Sequence, residues 1–211
     1  LGILVRASVA ADEVDAARRT TWLHRGERLS TPGPDQRALR TELARDLARD
    51  QHFAEAADAL EAILDSTGPD ELVTRGRAML ALGIARLVLG QGTASRDTVE
   101  TLDRSTALFR LAGEPRFAAV ALRTAAFGAH FNLGELDVAA AKMNEAAALL
   151  GAPDPLRSTF LTYVAEIDRD LGRLDAAAAA VTEAYAIAQR MGSDYAISYA
   201  AWSGMLVAVD R

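Results

Sequence analysis

Gly134-Glu-Leu136-Asp137-Val-Ala139 and Gly172-Arg-Leu174-Asp175-Ala-Ala177 are one turn written twice, 38 residues apart. Seven residues further on, Ala146 answers Ala184, and Gly113 and Gly151 keep the same offset. Self-similarity at a fixed period of this length means stacked supersecondary units. Weaker copies extend the register. Phe53, Ala56 and Ile63 stand where Leu136, Ala139 and Ala146 stand, and Val14 and Ala17 begin a first copy. Leu82-Gly83 and Gly90 mark a further unit, whose second helix is displaced by an insertion at Gly92-Thr-Ala-Ser-Arg96. Each unit is about 38 to 44 residues.

Each unit reads as two antiparallel helices. The pattern predicts helices over 3–10, 13–29, 36–50, 53–65, 70–89, 97–112, 115–133, 136–150, 155–171, 174–190 and 194–209. The breaks are Pro32-Gly-Pro34, Gly68-Pro69, Gly113-Glu-Pro115 and Pro153-Asp-Pro155. Proline suits a helix start, where its missing N–H has no partner to lose, and glycine suits the left-handed cap after a helix. In 155–171, Leu156, Phe160, Val164, Ile167 and Leu171 recur at steps of three and four. Leu174, Ala177, Val181, Ala184 and Ile187 do so in 174–190. Ala139, Ala177 and Ala184 allow close backbone approach, and a large residue there overpacks at a cost of about 1–3 kcal/mol. The expected fold is all-α: about five stacked helix pairs forming a solenoid over 1–211 as one domain.

Composition agrees. Of 211 residues, 45 are Ala and 27 are Leu, while aromatics are 6%. Ala and Leu head the helix scale, and the residues that favour strands are scarce, which argues against a β-sandwich or barrel. There is no cysteine, which excludes disulfides, thiol catalysis and Cys-ligated metals. Net charge is −6 with 22 Arg and one Lys, so the chain lacks the basic surface that phosphate binding needs. Among residues 37–49, Arg37, Arg40, Arg45 and Arg49 alternate with Asp35, Glu42, Asp46 and Asp50, which nearly cancel them. No basic leader precedes the first apolar run. The longest uncharged stretch, Tyr195–Val209, is 15 residues, short of the roughly 20 that span a bilayer. A cytoplasmic location is expected. The chain starts without Met and stops after an apolar helix, as a segment of a longer protein would.

The turns Leu82-Gly83, Gly134-x-Leu136-x-x-Ala139 with Ala146, and Gly172-x-Leu174-x-x-Ala177 with Ala184 resemble tetratricopeptide repeats. That motif sets a large and a small residue in helix A, glycine at the turn and two alanines in helix B. The small helix-A residue is Gly83, Ala44 and Ala165 in three units but Phe127 in another, and the period exceeds the usual 34. The long period, the Ala/Arg richness and endings such as Ala107-Leu-Phe-Arg-Leu-Ala-Gly-Glu114 resemble the repeat segment of LuxR-, MalT- and AfsR-type bacterial transcription regulators. There, such repeats sense a ligand or hold a partner.

The resemblance implies that helix A of each unit lines a concave surface. The positions that match are Arg45 and Arg49, then Arg77, Leu80, Ile84 and Leu87, then Thr124, Gly128, Phe131 and Asn132, then Thr162, Glu166 and Arg169. Ile84, Leu87 and Phe131 read more readily as core. An apolar helix face over Tyr195, Tyr199, Trp202, Met205 and Leu206 is expected to self-associate into a homodimer, because exposed apolar faces associate.

Enzymatic chemistry finds little footing. Gly90-Gln-Gly92 lacks the Gly-Lys-Ser/Thr of a phosphate loop, and there is no His-Glu-x-x-His, Glu-x-x-His or Gly-x-Ser-x-Gly. His24, His52 and His130 are far apart in sequence, and His130 reads as a packing residue. The acidic patch Glu166-Ile-Asp168-Arg-Asp170, with Arg169 and Arg173, reads as a solvated face of i,i+4 ion pairs. A paired-carboxylate site is its alternative. The expectation is a scaffold without catalysis, cofactor, metal or nucleic-acid contact, binding a protein, peptide or small effector. The alternatives are a structural spacer or oligomerisation segment and, more remotely, a helical enzyme using Glu166, Asp168 or His130.

Overall fold

The computed structural model describes residues 16–90, 96–151 and 154–211. The expected helix 3–10, Val14, the insertion at 92–95 and Pro153 lie outside the described residues. Ten α-helices are described: α1 Ala16–Leu29, α2 Pro34–Arg49, α3 Phe53–Ser66, α4 Leu72–Leu89, α5 Arg96–Leu111, α6 Pro115–Phe127, α7 Leu136–Leu149, α8 Pro155–Asp170, α9 Leu174–Met191 and α10 Asp194–Asp210. No strand occurs among the described residues. Successive helices pack in pairs, but the chain divides into two compact units, 1–91 and 92–211. The division falls between the helices that the sequence pattern joins as one repeat, α4 and α5.

In the first unit α2 lies against α1, α3 and α4. Leu23, Leu39, Leu60, Ile63, Ala78, Leu82 and Ala85 are buried there. In the second, Leu122, Met143, Phe160, Val164, Ile167 and Ile187 form the core with Ala119, Ala139, Ala146, Ala184 and Ala200. Burying one Leu, Ile, Phe or Met side chain stabilises by about 1.5–3 kcal/mol. The alanines fill the remaining contact area without side-chain entropy to lose. Phe109 stacks on Phe117 at 5.3 Å between ring centroids.

The turns explain the register. Gly172 has φ 71°, its N–H donates to the Arg169 carbonyl (2.9 Å), and the Arg173 N–H donates to that of Asp168 (2.7 Å). This crossed pair closes the helix end, and it needs a left-handed residue. Gly113 and Gly192 close α5 and α9 in the same way. Between α2 and α3 the residue in that place is Gln51, at φ 68°, with His52 donating to the Leu47 carbonyl.

Gly134 differs. Its N–H reaches back four residues, to His130, and that of Glu135 reaches six, to Ala129. The last turn before it, Gly128–Asn132, is a π-helix rather than the continued α-helix that the pattern predicts over 115–133. A π turn carries one extra residue. Counting it, the small helix-A residue of this repeat is Ala126, fully buried, and not Phe127. The Phe at the small helix-A position of this repeat is therefore the mark of an insertion.

Charges repeat too. Arg173 pairs with Asp137 at 2.8 Å, and 38 residues on, Arg211 pairs with Asp175. Exposed pairs of this kind stabilise by at most about 1 kcal/mol each, so they mark the register more than they hold it.

Candidate functional site

Within the second unit, α6 with its π turn, α8 and α10 carry the helix-A positions. The π turn moves two aromatic side chains outward: Phe127 is 46% and Phe131 59% exposed, with ring centroids 4.6 Å apart. Between them in sequence, His130 turns inward. Its Nδ1 lies 3.2 Å from the Tyr163 hydroxyl and its Nε2 3.1 Å from Asp170 Oδ2, both on α8. The His130 ring stacks on Phe131 at 4.1 Å, and Phe131 lies nearly parallel to Tyr163 at 6.3 Å. His130 is thus a satisfied packing residue, as its apolar context suggests, and it fixes the platform formed by the two phenylalanines. π turns recur at functional sites, and exposed aromatic pairs are typical binding anchors.

One turn before Asp170 stands Glu166. It is half-buried, and its Oε1 is sealed from solvent with no hydrogen-bond donor among the described residues. Burial raises its pKa above the ordinary carboxylate value; the Tyr199 hydroxyl, Arg169 and Arg123 pull it down, and Asp170 pushes it up. Burial likewise lifts the phenols of Tyr163 and Tyr199 above their usual range, so both stay protonated donors. The guanidinium of Arg123 lies 5.7 Å from the centre of the Phe160 ring, a cation–π distance.

The acidic patch is not the solvated face expected. Asp168 is buried, which raises its pKa, and Arg173, 3.7 Å away, opposes that. Arg169 pairs with its neighbour Asp170 (2.9 Å) and with Asp210 on α10 (3.6 Å), not at i,i+4 spacing. At Glu166 the reason is that α10 packs on α8 and sets Tyr199 against the carboxyl, while Asp170 stays exposed.

The other expected groove residues divide. Thr124 is half-buried and gives its hydroxyl to the Val120 carbonyl. Thr162 and Gly128 are buried, and Asn132, half-buried, ends the π turn. In the first unit Arg45, Arg49 and Ile84 do meet, lining a cleft of about 200 Å³ with Ala48 and Ala81. The arginines are not a loose basic wall, however. Arg45 and Arg77 pair with the two oxygens of buried Glu42 at 2.7 and 3.3 Å, and Arg49 pairs with buried Asp46 at 3.2 Å. Leu80 and Leu87 are core, because α4 lies against both α2 and α3 and has little free surface.

On α10, Tyr195, Trp202 and Met205 are exposed, while Tyr199 and Leu206 are half-buried. Tyr199 belongs to the Glu166 site as much as to the outer face. The expected single apolar face is two: Ala196, Ala200, Ser203 and Val207 pack inward, and the large residues point out. The sequence reading missed Arg123, Tyr163 and Tyr199 as neighbours of Glu166. The mixed polar and aromatic character of helix-A positions was the only trace of them.

No family model and no curated protein matches the sequence. Solved structures do. A thermophilic TPR protein of Thermus thermophilus, TTC0263, matches with TM-score 0.67 and 21% identity over 97% of this chain and 98% of that one. The fold is that of tetratricopeptide repeats. A MamA RS-1 double mutant matches at 0.59 and 14% identity, over 92% of this chain and 97% of its own. The nearly identical TPR-like repeats of a Podospora anserina protein match at 0.57 and 16%, over 92% and 97%. Among the described residues no helix is long and apolar enough to cross a membrane, and no group of three or more His, Asp or Glu is placed to hold a metal.

Proposed function

We propose that this chain is a non-enzymatic binding scaffold whose second unit holds a peptide or protein segment on the helix-A face around Phe131. The observation that carries the reading is the π turn. It exposes Phe127 and Phe131 side by side, and His130, stacked on Phe131, is held by Tyr163 and Asp170. A rigid aromatic pair with convergent polar groups beside it is how peptide sites are built. The arrangement offers binding surface and no nucleophile–base pair aimed at a common point. The finer context, the sensor or interaction segment of a bacterial transcription regulator, rests on the Ala/Arg richness and the Ala107–Glu114 ending. A small effector in place of a peptide would appear in native mass spectra as a mass excess lost on denaturation.

The test is selection of a random heptapeptide phage library on the purified chain. Peptides should be recovered, and Phe131→Ala should weaken them at least about tenfold, equivalent to 1.4 kcal/mol, with the helical circular dichroism unchanged. Recovery of no peptide, or of peptides indifferent to Phe131→Ala, would refute the groove. A second reading, homodimerisation through α10, is favoured by the exposure of Tyr195, Trp202 and Met205.

A further inference from the structure

Glu166 is left unexplained by a purely apolar groove. It makes no ion pair among the described residues, although arginines lie on both sides of it. Arg169 is committed to Asp170 and Asp210, and Arg123 lies over Phe160. One carboxyl oxygen is sealed and lacks a donor. A buried acceptor without a partner costs about 1–3 kcal/mol, more when charged, so it is seldom kept where nothing uses it. The residue as a whole is only half-buried, but that oxygen is closed to solvent, so a new donor reaches the carboxyl only where the Tyr199 hydroxyl gives way. Asp170, one helical turn away, is held by His130, whose ring carries the exposed Phe131. The charges that act on this carboxyl are Asp170 against Arg123 and Arg169, and both arginines are engaged elsewhere.

We propose that the segment held on this face carries a lysine or arginine whose cationic head is received by Glu166 and whose alkyl stem runs along Phe131 and Phe127. A basic side chain matches both halves of the arrangement. Its methylenes cover apolar ring surface while its head donates to the carboxyl in the place of the Tyr199 hydroxyl. A charge-assisted bond to a half-buried carboxylate is stronger than a neutral one. The displaced neighbour is Tyr199, whose hydroxyl attends the same carboxyl in the free protein. The proposal rests on the groove reading above and names the chemistry of its ligand.

The same phage selection tests it, now read by position. Recovered peptides should share Lys or Arg at a fixed distance from an apolar anchor. In a synthetic peptide, changing that residue to Met should weaken binding to the native chain about tenfold or more, and to Glu166→Gln less than about twofold. Peptides that depend on Phe131 but show no basic preference would overturn this proposal and leave the groove standing. So would a basic residue that matters equally to Glu166→Gln. Failure to recover any peptide sensitive to Phe131→Ala would take down the groove itself, and this proposal with it. Carbon-13 NMR of the Glu166 carboxyl in the native chain gives a check that needs no variant. The bound peptide should lower the pH at which that carboxyl titrates, and an unchanged midpoint overturns the proposal.

Discussion

Gln51 occupies a place that three other turns give to glycine, and it does so at φ 68°. A left-handed conformation costs an L-residue about 1–2 kcal/mol, while glycine gives back roughly 0.5–1 kcal/mol in chain entropy. Gln51→Gly should therefore raise stability by about 0.5–1 kcal/mol. Gly172→Ala should lower it by about 1 kcal/mol or more, through the backbone alone, since an added Cβ meets nothing within 4 Å. Chemical denaturation of both variants measures the pair, and a stabilised Gly172→Ala would contradict the turn geometry. Glu166 supplies a second test at this scale. Its folded-state pKa is raised by burial, so the folded chain binds the proton more tightly than the unfolded one. Stability then falls as pH rises from the ordinary value of 4.5 through the raised one, and the loss is complete above it. Glu166→Gln carries no such loss. It should melt higher than the native chain at neutral pH, and the difference should close below pH 4.5. A gap that is constant with pH would show that burial does not perturb this carboxyl.

The π turn is the element on which the binding reading depends, and a deletion tests it more sharply than a substitution. Removing Phe127 takes out the extra residue and restores the seven-residue spacing from Ala126 to the turn glycine that Ala165 and Gly172 show. An uninterrupted α-helix should form, Ala126 should keep its buried place, and His130 should lose its two partners on α8. The deletant should remain helical and cooperative while losing the selected peptides. Retained binding would mean that the site needs neither the π turn nor the pairing of Phe127 with Phe131. This element also shows where the sequence was legible. Helix positions, turn glycines and alanine contacts were readable, because each is set within a few residues by period, cap or proline. The π turn was not, because one inserted residue barely disturbs helical periodicity, and a Phe in place of a small residue was its only mark. The His130–Asp170 and Arg77–Glu42 contacts span 40 and 35 residues, so only the stacking of one repeat on another brings them together. The Arg45–Glu42 and Arg49–Asp46 pairs, by contrast, lie within α2 at i,i+3 spacing, where the alternation of charge was readable.

The repeat pattern is recognisable on both sides of the insertion at Gly92–Arg96, and the packing divides at 91/92, where that insertion begins. Each unit has its own core, and within the second unit α10 is unlike every other helix. It is apolar on two faces and satisfies only one, with Trp202 52%, Met205 57%, Tyr195 73% and Val209 77% exposed. Large apolar residues on one helical stripe associate when a complementary surface is within reach, and a second copy offers the same stripe about a twofold axis. The chain should therefore show a concentration-dependent dimer in sedimentation velocity. A charge at the centre of that stripe would be desolvated in the dimer without a partner, so Trp202→Glu should abolish association. Because Trp202 is half exposed, the monomer's helicity and melting should change little. The peptide site around Phe131 should also survive, since the α10 side chain that reaches Glu166 is Tyr199 and not Trp202. A dimer that persists in Trp202→Glu would locate self-association elsewhere on the chain. A monomer that loses peptide binding together with dimerisation would show that the two faces of α10 act as one site.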